Sequence, residues 1–157
     1  MSTSTHTWKR HLLKQAKTLD SLAAVRRWGD ASRVRLEESV VLGFYDICKL
    51  VGAFLLSPAL LHEPVSIIAC PARRKEQWLT GGERIEDLYD LSESRPAAHD
   101  LLFLCHQAVH NCVFEPWLGA GGTLEGVYLT SDHQRKVAVY GLRLSVLMTL
   151  FRKVGKI

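Results

Sequence analysis

The sequence predicts a mainly α fold, a helical bundle of four or more helices with a small C-terminal β-hairpin, in one domain spanning residues 1–157. Three observations carry that expectation. Apolar residues recur at helical spacing over three long segments, near 8–28, 34–56 and 97–113. A shorter amphipathic segment closes the chain. Just before it, two short β-rich runs flank a turn. The composition suits such a domain: 47% hydrophobic and 23% charged residues exclude global disorder and collagen-like repeats.

The first helix is expected from near Trp8 to Trp28, because Trp8, Leu12, Ala16, Leu19, Leu22 and Ala23 keep the i, i+3/i+4 rhythm. Gly29 stops it, and Asp30 or Ser32 caps its successor. The second helix should run to about Leu56 and end at Ser57-Pro58. Val34, Val41, Phe44 or Tyr45, Cys48, Val51 and Leu55 form one stripe on it, with Val40, Ile47 and Phe54 alongside. A helix so apolar over so wide an arc belongs in the core.

Val65 to Cys70 is short, β-branched and bounded by prolines, which fits a strand or an extended connector. Arg73-Arg74-Lys75 reads as a solvated cationic turn, and Gly81-Gly82 as a break. Glu83 to Leu91 has room for one or two helical turns. Arg95-Pro96 then opens the third long helix, about Ala97 to Val113. Its apolar face is Leu101, Leu102, Leu104, Cys105, Ala108, Val109 and Cys112. Opposite stand His99, Asp100, His106, Gln107, His110 and Asn111. Glu115-Pro116-Trp117 and Gly119 to Gly122 break that helix. Val127 to Thr130 and Val137 to Tyr140 pair as the hairpin, and Leu142 to Val154 is the final helix.

The longest uncharged apolar run, Leu50 to Leu61, would reach about 18 Å as a helix, against a hydrocarbon core of about 30 Å. No membrane span is expected. Met1 to Thr7 carries no apolar stretch of the secretory kind, so a cytoplasmic protein is expected. The four cysteines, Cys48, Cys70, Cys105 and Cys112, match no zinc or redox spacing and read as reduced core thiols.

Charge is unevenly distributed. Residues 1–35 carry a balance of +6, residues 36–132 a balance of −8 and residues 133–157 again +6. If the two ends meet in space they form a basic surface suited to a polyanion such as RNA. The alternative is that they neutralise the acidic middle, within the molecule or across a dimer.

The strongest chemical cluster is His106 and His110, whose imidazoles at i, i+4 converge from adjacent helical turns. No glutamate of an HExxH pattern lies between them, and His99 lies about 16 Å away along the expected helix, so neither a metal nor another cofactor is expected. Histidine titrates near neutrality and serves as a general acid or base, while Gln107 and Asn111 offer hydrogen bonds to a phosphate or a base. Gly119 to Gly122 lacks the Lys-Ser/Thr of a phosphate loop and reads as a turn.

Two stretches resemble the HEPN-like superfamily of small helical proteins from RNA-processing, toxin–antitoxin and defence systems. One is the apolar helix from Val34 through Glu37-Glu38, Phe44-Tyr45 and Cys48 to Leu50. The other is Leu104 to Glu115, followed by Ser131-Asp132 and the last helix, which resembles the family's RNxxxH-bearing helix. In that resemblance His110 stands at the motif histidine, His106 where an Asn often stands, and Cys105 where the catalytic Arg belongs. No arginine lies five to seven residues before any histidine of the chain.

The resemblance therefore implies a helical scaffold and a homodimer through the motif-bearing helix, while the missing arginine argues against nuclease activity. The preferred expectation is a non-catalytic protein that binds RNA or a protein partner through His99, Gln107, Asn111, Arg95 and the neighbouring histidines. The alternative is a metal-independent endoribonuclease using His110 and His106, with a basic residue such as Arg95 replacing the missing arginine.

Overall fold

The computed structural model describes residues 3–73 and 83–157. Its centre is a five-stranded antiparallel sheet, which corrects the expectation of a mainly α bundle with a small hairpin. The elements follow the order α1 (Thr3–Ala23), α2 (Asp30–Gly52), α3 (Pro58–His62), β1 (Val65–Pro71), α4 (Ile85–Leu88), β2 (Arg95–His99), α5 (Leu101–Val109), β3 (Asn111–Leu118), β4 (Leu124–Ser131), β5 (Ala138–Arg143) and α6 (Leu144–Gly155). The strands lie in the order β2-β1-β5-β4-β3. Among the described residues no helix is long and apolar enough to cross a membrane.

The expected helix over 97–113 is where the reading fails. Its first residues pair as β2 against β1, His99 opposite Val65 and Arg95 opposite Ala69. Pro96 is tolerated because β2 is an edge strand. Asp100 then caps α5, its Oδ1 accepting the Phe103 N–H at 2.9 Å. The helix lasts nine residues, and the chain from Asn111 becomes β3, paired with β4. Pairing with β1 on one side and β4 on the other overrides the local helical period. β4 and β5, expected as a small hairpin, are central strands of the sheet.

Strand alternation divides the interior in two. Ile67, Phe114, Val127, Leu129, Tyr140 and Leu142 face the layer of α1, α2, α5 and α6. On the other side Cys70, Val113 and Val139 are covered by Ile85, Leu88, Tyr89 and Leu91. Tyr89 is fully buried and fastens this cover, its hydroxyl donating to the Arg135 carbonyl at 2.7 Å. Arg73 folds into the same cover, its Nε donating to the Glu86 carbonyl at 2.9 Å. The rest of the expected cationic turn, Arg74-Lys75, and the Gly81-Gly82 break lie outside the described residues.

On α2 the buried arc is Leu36, Val40, Phe44, Ile47 and Leu50. The stripe expected in the core divides: Phe44 is buried and Cys48, Val51 and Leu55 pack against the core, whereas Val34 and Tyr45 are exposed and Val41 is half-buried. The helix also stops at Gly52, short of Leu56. Gly43 permits a close crossing with α6, since a Cβ there would stand 2.3 Å from the buried Phe151 ring.

Candidate nucleic-acid interface

α1 and α6 pack side by side, so the two cationic ends of the chain meet. Lys9 is buried and donates through Nζ to the carbonyl of Ile157, and Gly155 nestles against Leu13. α1 turns Leu12, Ala16 and Leu19 to the core and leaves Arg10, Lys14 and Lys17 exposed at i, i+4 and i+7 on the opposite arc. α6 buries Leu147, Leu150, Phe151 and Val154 and exposes Arg152 and Lys156 one turn apart. The only acidic side chain on either helix is Asp20.

Three other basic residues near the ends are engaged. Lys153 pairs with Glu63, and Arg33 bonds Glu115 at 2.6 Å. Arg143 lies 4.8 Å from the Trp117 ring centroid, and that ring stacks on Tyr128. Among the described residues, no ion pair engages Arg10, Lys14, Lys17, Arg152 or Lys156.

The residues singled out around the histidines do not share one face. His99, on β2, stacks on Phe103 at 3.7 Å and meets Tyr140 edge-on at 5.6 Å. Gln107 is buried and accepts the Ser131 N–H at 2.9 Å. Asn111 donates through Nδ2 to the Ala108 carbonyl at 2.8 Å and closes the end of α5. Arg95 is exposed but opens β2 at one sheet edge, whereas His110 leads into β3 at the other.

His106 and His110 do come together, with ring centroids 5.0 Å apart. A third ring, His133 from the β4–β5 turn, stands 5.3 Å from His106. No local spacing in the sequence marks His133 as a member of this cluster; the Asn111–Ser131 pairing of β3 with β4 is what delivers it. Burial, followed by the charges of His110 and His133, holds the His106 imidazole below its ordinary pKa, and its Nδ1 is buried without a hydrogen-bond partner. Among the described residues no group of three or more His, Cys, Asp or Glu side chains is placed to hold a metal ion. Cys105, where the resemblance puts the motif arginine, is buried with its thiol toward the Phe44 carbonyl.

No family model, no curated protein and no solved structure matches the chain. The arrangement of its own residues is therefore the ground for a functional reading. It offers a cationic two-helix face and a separate cluster of three imidazoles, His106, His110 and His133.

Proposed function

We propose that this chain is a non-catalytic RNA-binding protein that engages phosphates through the outer face of α1 and α6, and that it works as a cytoplasmic homodimer. The carrying observation is the packing of α1, which exposes Arg10, Lys14 and Lys17, along α6, which exposes Arg152 and Lys156, the two helices carrying one acid, Asp20. Cations on two rigid, adjacent helices track a phosphate backbone without ordering a loop first. The internal contacts of His99, Gln107 and Asn111 favour the α1–α6 face over the one those residues were expected to form.

Five phosphate contacts give a slope of log affinity against log salt of about −3 to −4 for a single strand. Fluorescence anisotropy of a labelled single-stranded RNA across a salt series measures it. Lys14→Glu, Lys17→Glu and Arg152→Glu combined should lower affinity at least about tenfold and flatten the slope by about 2. Salt-independent binding, or binding unmoved by the triple reversal, would overturn the reading.

A second reading has one observation in its favour, the contact of His106 with both His110 and His133. It is a metal-independent endoribonuclease in which His110 abstracts or donates the proton and His106, kept neutral, assists. Neither position named for a cation supplies one to the phosphorane: Cys105 is buried, and Arg95 lies across the sheet. Cleavage of total RNA that disappears in His110→Ala would establish it in place of the binding reading.

A further inference from the structure

Half of the large hydrophobic side chains that the described residues expose belong to α2 and the turn that ends it: Val34 at 52%, Leu42 at 48%, Tyr45 at 41% and Phe54 at 94%. Phe54 is the costliest of them. The Phe54 N–H donates to the Val51 carbonyl and the Leu55 N–H to the Leu50 carbonyl, which closes the helix in a Schellman turn. That turn puts Phe54 in the left-handed region, with φ 57°. Glycine ordinarily fills this position, because a Cβ there meets the following carbonyl. Here an aromatic ring takes it and is left in water. Neither local conformation nor packing within the chain repays that arrangement.

The outward arc of α2 is regular. Val34, Val41, Tyr45 and Gly52 follow one line along the helix, opposite Leu36, Val40, Ile47 and Leu50. Glu37 and Glu38 flank its N-terminal half, where they help line a groove of about 490 Å³ with Val34, Val41 and Leu42. Lys49 flanks the C-terminal half, its Nζ 5.1 Å from the Tyr45 ring centroid. A 23-residue helix offers about 35 Å of this surface.

We propose that α2 docks antiparallel against α2 of a second copy of this chain, with Phe54 at each end of the contact. Charge complementarity selects that occupant. An antiparallel crossing centred between Val41 and Tyr45 sets Glu38 of each copy opposite Lys49 of the other, on the same flank of the helix, and Val41 opposite Tyr45. A parallel crossing would stack acid on acid. The twofold axis makes every such pair occur twice. The inference rests on the homodimer part of the proposed function and moves its interface from the 97–113 segment to α2. It does not depend on RNA.

Sedimentation of the full chain without RNA, over two decades of concentration, tests it. The expected result is a monomer–dimer equilibrium. Lys49→Glu or Glu38→Lys alone weakens it about tenfold, since each reversal acts twice. The combined Glu38→Lys/Lys49→Glu chain restores it to within about threefold, which no unrelated partner would produce. Phe54→Gly weakens the dimer while raising the melting temperature of the dilute monomer, because the left-handed site is relieved. Circular dichroism confirms that each variant folds.

A chain that stays monomeric at every concentration overturns the proposal. So does a dimer indifferent to Lys49→Glu and Phe54→Gly, or a charge swap that fails to rescue. Each of these outcomes leaves the anisotropy titration free to decide RNA binding separately.

Discussion

Replacing Gln107 by leucine isolates the contact that ties α5 to the β4–β5 turn. Gln107 is 2% exposed and Ser131 is fully buried, and the amide oxygen accepts the Ser131 N–H at 2.9 Å. This bond falls at the register shift between Asn111 and Val113, opposite the end of β4. Leucine preserves most of the volume and the helix propensity, so the change removes little besides the acceptor. A buried N–H left unpaired costs about 1–3 kcal/mol. For a chain of this size that lowers the melting temperature by about 3–10 °C.

Thermal and urea unfolding measure the loss. Hydrogen exchange at the Ser131 amide and the ring resonances of His133, two residues on, report whether the turn has detached. A Gln107→Leu protein within about 0.5 kcal/mol of wild type, with Ser131 still protected, would refute the assignment of Gln107 to the frame instead of a ligand.

Three further outcomes are expected. Asp46 is 3% exposed and burial raises its carboxyl to about 6, against the attraction of His11. A folded-state pKa raised above the unfolded value of 3.8 contributes stability that is present below about pH 4 and lost as pH rises through 6. Asp46→Asn should therefore gain on the order of 1–3 kcal/mol over wild type at pH 8 and little at pH 4, read by urea titration at both. His106 has the opposite sign: its depressed pKa means stability present above 6.5 and lost as pH falls, so His106→Gln should flatten the decline between neutral and mildly acidic pH in thermal melts. Gly126→Ala should destabilise by at least about 2 kcal/mol in the same assay, because its Cβ would stand 2.1 Å from the Leu142 carbonyl oxygen, and backbone cannot step aside.

The terminal helices were the legible part of the sequence. Leu12, Ala16 and Leu19 on α1, and Leu147 and Phe151 on α6, are buried as their spacing demands, since each helix is apolar on one arc only. α2 defeats the same logic. It is apolar around most of its circumference, so periodicity could not say whether Val34 and Tyr45 or Leu36 and Ile47 face the core. The β-branched run of β1 fitted a strand or an extended connector, and pairing with β2 and β5 makes it a strand. β2 was not legible, because Arg-Pro-Ala-Ala-His has no strand propensity and becomes one only by pairing with β1.

The candidate interface was half visible. Charge partition marked both ends of the chain, but whether those ends touch depends on the packing of α1 along α6, which no local pattern encodes. The histidine reading assumed one continuous helix. With Asp100 capping α5 and Asn111 closing it, His99 departs to the sheet and His133 takes its place.

Lysine footprinting by mass spectrometry, with and without bound single-stranded RNA, tests the central claim most directly, because it reads the face and not only the affinity. The account predicts RNA-dependent protection of Lys14, Lys17 and Lys156, with Lys136 in the β4–β5 turn unchanged. Protection of Lys136 with Lys14, Lys17 and Lys156 left reactive, or no protection anywhere, would contradict it.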